Sequence, residues 1–208
     1  DLDNIAKETG STMYMVLLSA VNILLAKYSG QEDIIVGSPI AGRPHPDLEK
    51  VIGMFINTLA MRNYPEASKS YREFLREVRD NSLEAYENQD YQFEELVEQL
   101  DLRRDMSRNP LFDVMFAMQN MESGEINLAD LTLKPFNFEN NTSKFDLNIT
   151  ASEIDKEIQF NLEYSTALFE RETMERMINH FQTILSVIAS NMGIRLGQIE
   201  MITDQEKN

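Results

Sequence analysis

This sequence of 208 residues has no cysteine, only two histidines, and far fewer basic than acidic residues. Without cysteine it has no disulfide, no thiolate nucleophile and no cysteine-based zinc site. The 19 basic and 35 acidic residues give a net charge of −16. Such a surface repels phosphate groups, so we expect neither nucleic acid nor an acidic membrane surface as a partner.

Export and membrane signals are missing as well. The first residues, DLDNIAKETG, lack the basic and apolar regions of a signal peptide, and no apolar run is long enough to span a membrane. A cytoplasmic location fits these absences. The chain begins with Asp1 rather than methionine, which we interpret as a piece of a longer protein, and its length predicts one domain.

Apolar periodicity predicts helices and strands in a mixed order. The helices are expected over residues 11–30, 70–88, 93–100 and 170–191, and the strands over 33–40, 54–64, 111–120, 144–155 and 156–166, with a weak strand within 131–143. Ser11 or Thr12 caps the first helix, Gly30 ends it, and a hairpin turns near Asp155 and Lys156. The predicted fold class is α/β, a two-layer sandwich of a mixed sheet of about five or six strands covered by helices.

The same periodicity predicts which side chains enter the core. On residues 54–64 the predicted faces are Phe55, Asn57, Leu59 and Met61 on one side, and Ile56, Thr58, Ala60 and Arg62 on the other. The apolar faces of the two long amphipathic helices are predicted as Tyr71, Leu75, Val78, Leu83 and Tyr86, and as Met174, Met177, Ile178, Phe181, Ile184, Leu185 and Ile188.

Local patterns of catalysis or metal binding are not visible in the sequence. His45 lies between two prolines and is expected to be a solvated loop residue, and His180 is expected at the surface or boundary of the last helix. Neither has a serine, glutamate or second histidine at the spacing that nucleophilic catalysis or a metal needs. Phosphate-binding glycine motifs are absent, and the glutamates at 94, 95 and 98 fit the wet face of a helix.

Three stretches place polar residues among apolar ones. IGMFINTLAMR (52–62) puts Asn57 and Thr58 in the middle of a strand, where a buried asparagine needs hydrogen-bond partners. NQDYQFEEL (88–96) precedes a helix that Asp90 or Gln92 could cap. RDMSRNPL (104–111) places arginines and an aspartate directly before a buried strand.

In this order and spacing, the three stretches resemble the last three core motifs of condensation domains from nonribosomal peptide synthetases. The matching residues are Ile52, Gly53, Phe55, Asn57, Thr58 and Arg62 in the first stretch; Asn88, Gln89, Asp90, Phe93 and Glu94 in the second; and Arg104, Asp105, Arg108 and Asn109 in the third. Gln92 departs from the second motif, which usually has a proline there.

The resemblance implies one lobe of a fold similar to chloramphenicol acetyltransferase. Such domains have two lobes with a tunnel between them, and their His-His-x-x-x-Asp-Gly motif lies in the first lobe. This sequence has no His-His pair. Residues 1–196 are therefore identified as a C-terminal lobe without catalytic residues, inactive alone, and residues 197–208 as the start of a linker toward an adenylation domain.

The resemblance also implies partners. These are the N-terminal lobe, the adjacent adenylation domain, and the upstream and downstream carrier proteins, which present thioesters on phosphopantetheine arms; the lobe itself is expected to bind no cofactor and no metal. Residues 40–57 would correspond to a floor loop of the tunnel, and residues 124–146 to a latch onto the first lobe.

Site roles follow from the same resemblance. Asn57, Thr58 and Phe55 are the candidates for the tunnel wall, although Asn57 could equally be a sheet asparagine satisfied within the lobe. Gly53, Arg62, Gln89, Asp90 and Asn109 are expected to be structural. Arg104 or Arg108 would pair with Asp105, Asp90 or Glu94 and so join two motifs, or else would dock a carrier protein.

Three functions remain open from the sequence. The first is half of an enzyme that forms peptide bonds. The second is a non-catalytic module of the same fold that binds carrier proteins or neighbouring domains. The third is the lobe of an epimerisation domain, which the intact GMFINT stretch fits less well than ordinary condensation.

Overall fold

The computed structural model of the protein describes residues 1–43, 45–48, 50–100, 108–119, 126–128, 131–133, 142–154, 157–202 and 206. The helices in these ranges are α1 (Leu2–Thr9), α2 (Met13–Ser29), α3 (Tyr71–Glu87), α4 (Phe93–Gln99) and α5 (Arg171–Ser190), with short 3-10 helices at Pro46–Leu48 and Leu196–Gln198. The strands are β1 (Ile34–Ile40), β2 (Asn57–Asn63), β3 (Val114–Gln119), β4 (Ile126–Leu128), β5 (Leu131–Leu133), β6 (Leu147–Ile154) and β7 (Glu157–Tyr164).

Helix α2 forms the centre of the core, as its apolar sequence predicts. The Thr12 side chain accepts a hydrogen bond from the Met15 amide, and Gly30 ends the helix at a φ of 68°. Both caps confirm the prediction. Helix α1 was not predicted, although Gly10 ends it in the same left-handed conformation. No single helix among the described residues is long and apolar enough to cross a membrane; the α1–α2 pair, bent by 107°, meets that requirement by length and composition alone.

Five strands form one mixed sheet in the order β2-β1-β3-β6-β7. The three inner strands, β1, β3 and β6, are parallel to one another, and the edge strands β2 and β7 are antiparallel to their neighbours. Alternate residues of the inner strands are buried against the helices, as in Ile34 and Val36 of β1. The predicted α/β sandwich with a mixed sheet of about five strands is confirmed.

The hairpin of β6 and β7 is confirmed by the antiparallel pairing of Ile154 with Glu157. Its predicted turn, at residues 155 and 156, lies outside the described residues. Strands β4 and β5 form a separate two-stranded antiparallel ribbon, in which Ile126 pairs with Leu133. This ribbon lies within the stretch predicted to be the latch, and β4 was predicted to be a polar connection rather than a strand.

The predicted strand over residues 54–64 begins later than expected. Strand β1 ends at Ile40, which pairs with Asn57, so residues 54–56 have no strand opposite them. Within β2 the predicted alternation holds, since Asn57, Leu59 and Met61 are buried and Arg62 is exposed.

Two residues predicted for the helical apolar faces lie outside them. Leu83 is 49% exposed and Ile178 is 42% exposed. In α3 the buried stripe follows residues 71, 74, 75, 78 and 82, and Leu83 lies one residue beyond it. In α5 the buried stripe includes His180, which was expected at the surface or boundary.

Residues 192–199 pack into the lobe against the segment before α3. The Leu196 amide donates to the Lys69 carbonyl and the Gly197 amide to the Ala67 carbonyl, each at 2.9 Å. Leu196 and Ile199 are both buried. The start of the linker at residue 197 stays a prediction.

Candidate functional site

The Asn57 side chain joins the start of β2 to the segment before α4. Its amide nitrogen donates hydrogen bonds of 2.9 Å to the carbonyl oxygens of Gln89 and Tyr91. Its amide oxygen accepts from the amides of Thr58, at 2.8 Å, and Phe93, at 3.1 Å. Asn57 is only 5% exposed, so these bonds satisfy an otherwise costly buried polar group. Both amide hydrogens are used within the chain.

Asn57 also caps helix α4 from a distant part of the sequence. Gln92 occupies the N-cap position but makes no side-chain capping bond, so the expected cap by Gln92 is not formed. The Phe93 amide lies at the start of the helix and so has no acceptor within the helix. It donates a hydrogen bond to the Asn57 side chain instead. Replacement of the motif proline by Gln92 therefore leaves the cap of this helix intact.

Aromatic rings connect the second motif to the residue that follows the third. The Phe93 and Phe112 ring centroids lie 5.3 Å apart, and Phe112 also lies 6.1 Å from Phe145. Phe112 packs over β1 at Gly37, where a Cβ atom would collide with the Phe112 ring. We call Asn57, residues 89–93 and Phe112 the motif junction. Phe112 was not predicted as part of a site; its position just after the third motif was the available signal.

The other tunnel candidates lie beside the junction. Thr58 is half-buried and pairs with Pro39 of β1. Phe55 is half-buried in the preceding loop, where its ring lies near Gly53. The three candidates are thus neighbours at the edge of the sheet where β1 ends, but their orientation toward a tunnel stays a prediction.

Arg62 and Asp33 form an exposed, two-pronged ion pair across the start of β1. The Arg62 Nε and Nη2 atoms donate to the two Asp33 carboxylate oxygens at 2.9 and 2.7 Å. The bond from Arg62 lowers the pKa of Asp33 and raises that of Arg62. Its place between two strands fits the expected structural role of Arg62.

Arg108 forms an ion pair with Asp113, in which the aspartate is the less exposed partner. Asp113 and Asp146 directly precede the parallel strands β3 and β6. Burial, and secondly the charge of Asp113, raise the pKa of Asp146, while Arg108 lowers it. Arg108 therefore partly offsets the repulsion between the Asp113 and Asp146 carboxylates, which lie at the amino ends of two parallel strands.

Asp113 was not among the partners predicted for Arg108. Arg104 and Asp105 lie outside the described residues, so their proposed clamp stays a prediction. Asn109 is half-buried in the turn that leads to β3. Asp90 is exposed, and its carbonyl accepts a hydrogen bond from Gln92 at 3.4 Å.

The two histidines lie in different surroundings. His45 is exposed and lies 3.4 Å from the Asp47 carboxylate, as expected for a loop residue. His180 is buried, with Tyr28 at 2.7 Å from Nδ1 and the Glu206 carboxylate at 3.0 Å from Nε2, so both ring nitrogens are engaged. Within the described part of the chain, no group of three or more histidine, aspartate or glutamate residues could hold a metal ion.

The described residues of this site position chain segments, and no pair of a nucleophile and a base occurs among them. A fully hydrogen-bonded asparagine, a distal helix cap and aromatic rings packed at a tilt fix three loops relative to the sheet. Together with the mixed five-stranded sheet covered by helices, the geometry defines an α/β sandwich whose motif segments are fixed at one edge of the sheet.

A comparison with family models identifies all of residues 1–208 as a condensation domain. The chain belongs to the condensation-domain family, of the type found in nonribosomal peptide synthetases. It is 56% identical over 207 residues to bacitracin synthase 3 of Bacillus licheniformis, covering 100% of this chain and 3% of that protein. It is 51% identical over 208 residues to gramicidin S synthase 2 of Brevibacillus brevis, covering 99% of this chain and 5% of that protein. The chain thus spans a small part of these antibiotic synthetases.

Solved structures share the fold at lower identity. A four-domain nonribosomal peptide synthetase bound to AMP and glycine superposes with a TM-score of 0.92 at 24% identity, over 99% of this chain and 17% of that one. The X-domain from teicoplanin biosynthesis superposes with a TM-score of 0.85 at 24% identity, over 97% of this chain and 46% of that one. These similarities confirm the fold similar to chloramphenicol acetyltransferase that the three motifs implied.

Proposed function

We propose that this chain is the C-terminal lobe of a condensation domain that forms peptide bonds between carrier-bound thioesters. The observation that carries the proposal is the joining of the first two motifs by the hydrogen bonds of Asn57, within a chain that matches the family along its whole length. Phe112, which directly follows the third motif, packs against Phe93 of the second. The reaction belongs to the parent protein, of which this lobe supplies one wall of the tunnel.

In this reaction, the acceptor amine attacks the carbonyl carbon of the donor thioester. A C–N bond forms, the C–S bond breaks, and the donor arm leaves as a thiol. The phosphopantetheine arms come from the upstream and downstream carrier proteins. The residue that handles the amine proton belongs to the His-His-x-x-x-Asp-Gly motif of the N-terminal lobe, and the described residues of this lobe add positioning.

Within this proposal, Asn57 holds the tunnel edge rather than touching the thioester. Its two amide hydrogens already bond Gln89 and Tyr91, which leaves no donor for a substrate oxygen. In the parent domain, Asn57→Ala should therefore lower turnover by disturbing neighbouring groups. A kcat per folded molecule equal to that of the wild type would limit Asn57 to a role in stability.

A test of the proposal is reconstitution with loaded carrier proteins. The chain alone should yield no dipeptidyl product, and addition of a separately produced N-terminal lobe should restore it. The matched control is the same N-terminal lobe with both motif histidines replaced by alanine. Product from the chain alone would refute the assignment of catalysis to the N-terminal lobe, because it would require a catalytic group within this lobe.

A second candidate is a binding module without catalytic activity. It is favoured by the burial of His180, which is only 7% exposed and so is kept away from a substrate, and by the exposure of His45 in its loop. A similar X-domain is known in complex with OxyB from teicoplanin biosynthesis. Binding of carrier proteins by the parent domain without any product would favour this candidate.

A further inference from the structure

The end of helix α2 lies beside a cavity of about 180 Å³. Four segments form its walls: the last turns of α2, residues 30–32, residues 65–67 and residues 196–197. Most of the side chains that line it are apolar, namely Ile23, Ala26, Pro65, Ala67 and Leu196. Ala67 is exposed, so the cavity reaches the surface. Since a water molecule occupies about 30 Å³ in the liquid, the cavity has room for a small organic group.

Lys27, in the last turn of α2, brings an amine to this cavity. Its side chain is half-buried, and in the part of the chain that the structure describes it makes no hydrogen bond and no ion pair. Glu32 is the other titratable group among the described lining residues, and its carboxylate accepts a hydrogen bond from the Ala67 amide at 2.9 Å. The Lys27 ammonium is thus partly removed from water without a carboxylate to offset the cost.

Lys69 has the opposite arrangement. Its ammonium contacts the carboxylates of Glu66, at 2.9 Å, and Glu77, at 2.8 Å. Burial lowers the pKa of Lys69, but the two carboxylates outweigh burial, so its pKa is raised overall. Burial also lowers the pKa of Lys27, where no such carboxylate opposes it. At neutral pH, more of the Lys27 amine is therefore without its extra proton and able to act as a nucleophile.

We propose that Lys27 is a site of covalent acylation by small acyl thioesters, with the acyl group held in the cavity. In this step Nζ of the neutral amine attacks the thioester carbonyl carbon. A C–N bond forms, the C–S bond breaks, and the departing thiolate takes up the proton that the nitrogen loses. The product is an uncharged amide, which is less costly than an ammonium beside apolar walls. The inference is independent of the proposed condensation activity, because the donor is a free thioester.

The test is incubation of the purified chain with acetyl-coenzyme A at pH 7, followed by mass spectrometry of its peptides. The exposed Lys7 and Lys144 and the ion-paired Lys69 are controls within the same chain. Lys27 should be acetylated about threefold or more faster than Lys7 and Lys144, as expected for a lysine desolvated in an apolar pocket. Lys69 should react most slowly. The advantage of Lys27 should narrow as pH rises, because the neutral fraction of every lysine then increases.

Two variants separate the amine from the cavity. Lys27→Arg keeps the positive charge and should abolish acetylation at this position alone. Ala67→Leu places a larger side chain at the mouth of the cavity, and it should slow acetylation of Lys27 about threefold or more because the acyl group loses its space. The rates at Lys7 and Lys144 should not change. The matched control is Ala167→Leu, at an exposed alanine outside the cavity.

Two results would overturn the inference. One is a rate at Lys27 equal to or below the rates at Lys7 and Lys144 at pH 7, which the wild-type chain decides without any variant. The other is equal acetylation of Lys27 in folded Ala67→Leu and Ala167→Leu, since the acyl group would then not occupy the cavity.

Discussion

Replacement of Asn57 by alanine should destabilise the protein far more than loss of an ordinary surface amide. The change leaves four backbone groups without their partner: the carbonyls of Gln89 and Tyr91 and the amides of Thr58 and Phe93. Each buried group left unpaired costs about 1–3 kcal/mol, but residues 90–92 are exposed and their segment can move to regain water. We therefore expect a loss of about 2–4 kcal/mol, equivalent to a fall in melting temperature of roughly 5–12 °C for a domain of this size.

Urea and thermal unfolding at fixed pH measure this loss. The matched control is Asn161→Ala, which removes an exposed asparagine from the edge strand β7. If Asn57→Ala had the same melting temperature as this control, the reasoning would be refuted. The four hydrogen bonds would then add no stability beyond that of the bonds to water in the unfolded chain.

The substitution Asn57→Asp adds a dependence on pH. The new carboxylate would replace the amide nitrogen that lies 2.9 Å from two carbonyl oxygens, in a site that is 5% exposed. Burial and these oxygens should raise the pKa of the new carboxyl in the folded state. A raised folded pKa means that stability is present at low pH and lost as pH rises through that pKa. The loss in free energy of unfolding relative to wild type should therefore become smaller toward pH 4, while Asn161→Asp should show no such trend.

Two further predictions concern close packing and a helix cap. Gly37→Ala should lower the free energy of unfolding by about 1–3 kcal/mol because a Cβ atom would collide with Phe112 and Met115. Urea unfolding would measure this loss, with Gly193→Ala, at an exposed glycine, as the control. Unchanged stability would show that Phe112 can move away freely. Ser70→Ala should cost about 1 kcal/mol at pH 7 through loss of the capping box with Glu73. Because the bonds from Ser70 lower the pKa of Glu73, part of that cost should disappear as pH falls through the lowered pKa, and a difference that is constant with pH would contradict this account.

Patterns with a local physical cause were readable from the sequence. The cap at Thr12, the glycine after α2 and the alternation along β2 depend on neighbouring residues, and the structure confirms them. Helix α1 was not predicted, although Asp1 precedes it and Gly10 follows it. The resemblance of the three motifs then supplied the fold that no local pattern determines.

Pairings between distant segments were not readable. The partners of Asn57 lie more than 30 residues away in the sequence, and nothing in NQDYQFEEL indicates that its carbonyls face an asparagine of β2. The partner of Arg108 is close in sequence, but several acids were equally near, so charge alone could not choose Asp113. The hydrogen bonds of Arg43 go to backbone carbonyls, which every residue has and no sequence distinguishes.

The hydrogen bonds between residues 192–197 and residues 67–72 have a consequence for biosynthesis. The Tyr71 amide, at the start of α3, is bonded to the Ile194 carbonyl, and Leu196 completes the same seam. During translation, the segment before α3 leaves the ribosome long before its partner does. The seam therefore stays open until residues 192–197 have also left the ribosome, and a pause in translation before that point would expose it to chaperones or to neighbouring nascent chains.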